Sequence, residues 1–286
     1  MKKLLLLITA LFILASVEGQ ILRYGNYTSP PTPPSGDYCA EFDTVYAAFD
    51  TKPHADTAAF MNAMVYSLDT AGYWDRIDVF YVFAVHEADD ESLINWIDPG
   101  TYDATNISST AFTRYGGYTG DASADYLAID WTASTQGENY ALDDASYGIY
   151  TTLNIQDNVP ILSFGGTNTS NLTVRSTGNN MTAVINTTAA NYVRKTSVTD
   201  GTGLIIVTRR ASNDSELYQN GSSLASDSDA SVGLPATPIT ILRLGSGYSA
   251  NNVLLFFVMD GMSDTDATEI STIIETYMSA IGAGVV

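Results

Sequence analysis

The chain has 286 residues, 45% of them hydrophobic and 15% charged, which is ample material for one or two packed domains and excludes a chain disordered throughout. Its 32 acidic and 12 basic side chains give a formal charge of -20, which repels phosphate backbones and anionic headgroups and excludes nucleic acid as a partner. The low charged fraction, with plentiful Tyr, Thr, Ser, Asn and Gly, is the balance of a β-rich extracellular protein rather than of a cytosolic enzyme.

Lys2 and Lys3 precede an apolar run from Leu4 to Ala15, and Val17 and Gly19 are small enough for a signal-peptidase site. Residues 1–19 therefore read as a secretory signal peptide, which implies a secreted, extracellular protein at a cell surface or on a virion. The run is too short for a bilayer span of about 20 residues, so no membrane insertion is expected after cleavage. Cys39 is the only cysteine, so core burial must hold the fold without an intrachain disulfide. Residues 20–37 contain the proline-rich stretch Thr28 to Gly36 and read as an extended linker.

From Thr57 to Trp74, the positions Met61, Met64, Val65 and Leu68 recur at i, i+3, i+4 and i+7, predicting an amphipathic helix that ends near Gly72. The run Ile77 to Val85 is apolar at nearly every place, as expected for a strand covered on both faces. One helix and one buried strand make a poor domain alone, so residues 38–105 are read as a helix-strand cover packed on residues 106–286. From Ala124 to Met259, short β-branched and aromatic runs alternate with turn residues, as in a sandwich or jelly roll. Strands are expected at Tyr126 to Trp131, Tyr147 to Leu153, Leu172 to Arg175, Met181 to Ile185, Leu204 to Arg209, Leu217 to Gln219, Ile239 to Leu244 and Val253 to Met259. Asn220-Gly221 is the strongest hairpin signal in the chain. A closing helix starts at an N-cap Ser263 with Asp266 three residues on, carries the stripe Ala267, Ile270, Ile274, Tyr277, Met278 and Ile281, and stops at Gly282.

Gly203 to Ser226, with its L-Y-Q-N-G core at Leu217 to Gly221, resembles the strand-and-hairpin segment of laminin-G-like domains in the concanavalin A-like lectin and glucanase superfamily. G-G-Y-T-G-D-A-S-A-D-Y-L-A-I at Gly116 to Ile129 resembles that superfamily's opening strand pair, and M-S-D-T-D-A-T-E-I at Met262 to Ile270 its closing segment before a final helix. The wider arrangement, including D-T-V-Y-A-A-F-D at 43–50, F-Y-V-F-A at 80–84 and I-N-W-I-D-P-G-T-Y at 94–102, resembles uncharacterised bacteriophage and bacterial surface proteins of the same superfamily. The resemblance implies a mainly β, concanavalin A-like jelly-roll sandwich with an N-terminal helical cover and a C-terminal amphipathic helix. It also implies a display module that recognises glycan or polysaccharide, without fixing the sugar.

Retaining glucanases of this superfamily carry paired carboxylates in an E-x-D-x-E or E-x-D-x-x-E spacing on one strand. Glu41-Phe42-Asp43 is the nearest match, but Val45 and Tyr46 stand where the second glutamate belongs. The lyases of this fold need a histidine and a tyrosine on facing strands, whereas His54 precedes a helix and His86 lies in an acidic loop. Gly245 to Ala250 spells G-x-G-x-x-A, but the following Val253 to Met259 reads as a strand, so it lacks the helix that a dinucleotide site requires. A non-enzymatic protein is therefore expected. Tyr115, Tyr118, Tyr140 and Tyr248 fall in or near loops where an aromatic face can stack on a sugar ring, and are the candidate glycan-binding residues. Asp143, Asp144, Asp227 and Asp229 are the candidate ligands for calcium, the one cofactor entertained. Eight N-x-S/T sequons, at Asn26, Asn106, Asn168, Asn171, Asn180, Asn186, Asn213 and Asn220, matter only in a host that glycosylates secreted asparagines. The leading expectation is a secreted glycan-binding module. The alternatives are a structural subunit of a virion or extracellular fibre that self-assembles into oligomers, and a polysaccharide lyase or hydrolase of the same fold.

Overall fold

A computed structural model describes residues 38–87, 91–165 and 168–286. The expected signal peptide, linker and Asn26 sequon lie outside the described residues. Two antiparallel sheets face each other. The first runs in the order β1 (Ile77–Val82), β18 (Leu255–Met259), β6 (Ala145–Thr151), β11 (Gly203–Ala211), β12 (Asp214–Gln219) and β13 (Ser222–Asp227). The second runs β10 (Val193–Lys195), β9 (Met181–Thr187), β8 (Thr169–Thr173), β7 (Leu162–Phe164), β14 (Ile239–Ile241), β5 (Tyr126–Ile129) and β2 (Thr105–Ile107). A small sheet of β3 (Ala111–Thr113), β4 (Gly117–Thr119) and β17 (Asn252–Val253), and the hairpin β15 (Arg243–Leu244) with β16 (Gly247–Tyr248), complete the strands. The expected mainly β sandwich, with N-terminal helices and a C-terminal helix, is what forms.

The six-stranded sheet is the middle layer of three. On β11, Ile205 and Val207 enter the core between the sheets, whereas Leu204 and Ile206 enter a second core under the helices. Phe256 and Val258 of β18 likewise face the first core, and Leu255, Phe257 and Met259 the second. Val79 and Tyr81 of β1 oppose Phe80 and Val82 in the same way. Burial on both faces is the reason these strands read as largely apolar runs instead of alternating ones. Gly148 of β6 is part of the same packing, because a Cβ there would sit 2.3 Å from the Phe257 ring.

Three helices form the outer layer: α1 (Ala40–Ala48), α2 (Ala55–Thr70) and, at the end of the chain, α4 (Asp264–Ala280). The short α3 (Ala133–Gln136) lies elsewhere, after β5. Met61, Met64, Val65 and Leu68 of α2 and Ala267, Ile270, Ile274, Tyr277 and Met278 of α4 are all buried in the second core, as their spacing predicts. Ser263 and Asp266 make both hydrogen bonds of a capping box. Gly72 and Gly282 close α2 and α4 in the left-handed region, at φ 78° and 82°. Helix α1 was not foreseen. It buries Val45 in the second core and packs Phe42 and the following Phe49 on Trp96, and it carries Glu41 and Asp43 on a helix rather than on a strand.

The Asn220-Gly221 turn joins β12 to β13, with Gln219 opposite Ser222 and φ positive at both turn residues, 49° and 75°, as a type I′ hairpin requires. The glycine-rich opening motif also has a packing reason. A Cβ on Gly117 would lie 2.0 Å from the Val253 carbonyl oxygen, and one on Gly120 would lie 2.1 Å from that of Ser249. Those two glycines let the 117–120 backbone approach the 249–254 backbone closely.

Candidate functional site

Helices cover one face of the six-stranded sheet and the second sheet covers the other, which leaves the outer face of the seven-stranded sheet. Register fixes what that face displays. Leu127, Ile129, Ile239, Ile241, Leu162 and Leu172 point into the sandwich core. Their neighbours point out: Thr105 lies opposite Ala128, Ala128 opposite Thr240, Thr240 opposite Ser163, and Ser163 opposite Asn171. Five strands thus contribute one transverse row of small, mostly polar side chains.

Loops turn part of this row into a groove. Gly165, Thr169, Ala189, Thr237 and Pro238 line it with Ser163, Asn171 and Thr240, and Arg243, Leu244 and Gly245 complete a cavity of about 480 Å³. That volume suits a small ligand. The threonine hydroxyls are oriented from within the protein: Thr240 Oγ1 donates to the Arg243 carbonyl at 3.0 Å, and Thr169 Oγ1 to that of Phe164 at 3.3 Å. Hydroxyl oxygens held in this way keep lone pairs for a ligand donor.

Beside the groove stands an aromatic and cationic cluster. The Arg243 guanidinium lies 4.5 Å from the Tyr126 ring centroid and 5.6 Å from that of Tyr248, and the two rings are 6.2 Å apart at 50°. The β15–β16 hairpin builds it by pairing Arg243 with Tyr248. Gly245 enters its turn at φ 59°, a conformation that favours glycine, and its carbonyl accepts from Arg243 Nε at 2.8 Å. The G-x-G-x-x-A stretch is thus a hairpin turn and opens no helix.

Of the candidate glycan-binding tyrosines, Tyr248 belongs to this cluster and the others do not. Tyr118 and Tyr140 are corrections, since both are buried in the sandwich core and neither offers a ring face to a sugar. Their hydroxyls are spent internally: Tyr118 pairs with Ser92 Oγ at 2.7 Å, and Tyr140 donates to Asn186 Oδ1 at 2.7 Å. Burial holds the Tyr140 phenol well above its ordinary pKa. Tyr115 lies apart, 3.1 Å from Thr57 Oγ1, and lines a second cavity with Arg114, Leu254 and the C-terminal residues 281–285.

The candidate calcium ligands are not gathered into a cation site. Asp143 accepts from Ser231 Oγ at 2.5 Å, Asp144 from the Gly261 amide at 2.9 Å, and Asp227 from the Asp229 amide at 2.9 Å. Among the described residues, no three His, Cys, Asp or Glu side chains come together as a metal-holding group. Asp143 and Asp227 instead bear on Arg209, a buried cation whose pKa is pulled down by desolvation against the opposing pull of these charges. Elsewhere, Asp260 and Asp266 meet Arg76 at 2.9 and 3.2 Å, and Asp264 meets Arg210 at 2.9 Å.

His54 caps α2, and His86 is buried with Nε2 at 2.6 Å from the Thr51 carbonyl. The Asn186 sequon is fully buried, and its amide donates to the carbonyls of Ala141 and Leu142. Sequence reasoning missed Ser163, Thr240 and Arg243. The seven strands of the second sheet contain no aspartate or glutamate, in a chain that has 32, but that pattern is visible only once the strands are placed in the sheet.

No protein-family model matches the chain, and no curated protein matches it. Solved structures do. The sialidase of Trypanosoma rangeli, in complex with 2,3-difluoro-KDN, is 12% identical with a TM-score of 0.52, over 75% of this chain and 39% of the sialidase. The binding domain of Paraclostridial Mosquitocidal Protein 1 is 9% identical with a TM-score of 0.51, over 71% of this chain and 53% of that domain. The chain spans less than two thirds of either protein, and at these identities the likeness is one of fold.

Proposed function

We propose that the protein is a secreted, non-enzymatic glycan-binding module of the concanavalin A-like sandwich type, displayed at a cell surface or on a phage appendage. The observation that carries this reading is the groove on the outer face of the seven-stranded sheet. Its floor and walls offer hydroxyl and amide groups from Ser163, Thr169, Asn171, Thr237 and Thr240, which complement sugar hydroxyls as both donors and acceptors. The neighbouring Tyr126 and Tyr248 rings supply apolar faces of the kind that pack against a pyranose. Recognition through a shallow polar groove and an aromatic cluster needs no covalent step. The fold likeness to the binding domain of Paraclostridial Mosquitocidal Protein 1 accords with a binding role.

A glycan and polysaccharide screen on the purified chain tests the reading, run once with calcium and once with chelator. Saturable binding is expected in both conditions, with a rise in melting temperature that follows ligand concentration as binding to the native state requires. Discrete oligomers or filaments without any glycan binding would instead favour a structural subunit.

A further inference from the structure

The electrostatics of the groove identify its class of ligand, an inference that rests on the glycan-binding reading above. In a chain of formal charge -20, acidic side chains are expected on every surface, yet the seven strands under the groove carry none. Cations are found instead: Arg194 of β10 lies opposite Thr182 of β9, and Arg243, on the β15–β16 hairpin, is the single charged residue among those that line the groove. Arg76 and Arg210 are held by carboxylates at 2.6 to 3.2 Å, whereas Arg243 has no carboxylate partner among the described residues. It is braced instead by two tyrosine rings and by the Gly245 carbonyl, which engages Nε and leaves both Nη nitrogens for other acceptors. A planar guanidinium fixed in this way matches a planar carboxylate.

We infer that the groove selects acidic glycans, with Arg243 binding the carboxylate of a sugar acid while the Ser, Thr and Asn side chains take its hydroxyls. Net charge opposes the approach of any anion at long range, so selection must come from this local contact and not from a general basic surface. The same charge keeps non-specific polyanions away.

The test is a matched panel. Oligosaccharides containing a hexuronate or a nonulosonate are each compared with the carboxyl-reduced counterpart and with a sulfated neutral glycan, on the purified chain and on two variants. An acidic member is expected to bind at least about tenfold tighter than its reduced form, and Arg243→Gln to erase that difference without shifting the melting temperature by more than a degree or so. Arg114→Gln, at the second cavity, is expected to preserve it. Equal binding of acidic and reduced forms would overturn the inference and leave the glycan-binding reading standing. So would preference for the sulfated glycan, or an acid preference that survives Arg243→Gln. No binding to any member would overturn both.

Discussion

Replacing Arg209 by methionine is expected to destabilise the protein by about 3 kcal/mol or more, read as a fall in melting temperature of roughly 6 to 12 °C. Arg209 is 1% exposed, on β11 of the middle sheet. Its Nε donates to the Ile185 carbonyl on β9 of the other sheet at 3.1 Å, and Nη1 donates to the carbonyls of Ser212 and Asp229 at 2.6 and 3.1 Å. One guanidinium therefore ties the two sheets and two loops together at this end of the sandwich. Methionine fills similar volume but strands those carbonyl oxygens, and it removes the positive charge on which Asp143 and Asp227 act. Arg209→Lys keeps the charge without the fork, and should recover only part of the loss. Chemical denaturation of the three proteins measures this directly. A methionine variant within 1 kcal/mol of the parent would show that water or relaxation satisfies the carbonyls.

The second large effect is on binding. Thr240 and Ser163 face each other across β14 and β7 on the groove floor, while Ile239, Ile241, Leu162 and Phe164 beside them point into the core. Converting both polar residues to leucine raises the floor and removes two hydroxyls that a sugar would pair with. Affinity is expected to fall a hundredfold or more, because a ligand hydroxyl brought against leucine loses its water without gaining a partner. Some stability is expected to be lost as well, because Ser163 is only 5% exposed and the Thr240 hydroxyl donates to the carbonyls of Ser163 and Arg243. Titration calorimetry and thermal melts on the same preparation separate the two effects. Retained affinity would remove this face from the site, whereas Tyr115→Ala at the second cavity is expected to bind normally.

The sequence carried the layered fold well where periodicity and punctuation are local properties. The Met61 to Leu68 stripe, the Ser263 capping box and the Asn220-Gly221 turn each depend on a few neighbouring residues, and each appears where it was read. The apolar run from Ile77 to Val85, interrupted only by Asp78, signalled a strand covered on both faces, and it is the edge strand of the middle sheet. Helix α1 escaped notice because it is short and Cys39, at its N-cap position, makes no side-chain capping bond. Strands of three residues, such as Thr105–Ile107 and Leu162–Phe164, are too short for a period of two to be seen.

The site was less legible for a topological reason. Its floor joins β5, β14 and β7, and no local pattern reveals that Thr240 lies between Ala128 and Ser163. Tyrosines were a poor guide, because a tyrosine between glycines and turn residues reads alike whether its ring turns in or out. Tyr118 follows Gly117 directly on β4 and turns in, whereas Tyr248 follows Gly247 on β16 and stacks beside Arg243. Aspartates misled in the same way, since Asp143 and Asp227 act on the charge of Arg209, a buried arginine that sequence spacing does not place near them.

The most direct test is the crystal structure of the chain with the tightest-binding glycan from the screen. The sugar is expected on the outer face of the seven-stranded sheet, within hydrogen-bond distance of Ser163, Asn171 or Thr240 and in contact with the Tyr126, Arg243 and Tyr248 cluster. A sugar seated instead in the cavity beside Tyr115 and Arg114, or among the loops around Asp143 and Asp227, would contradict the assignment.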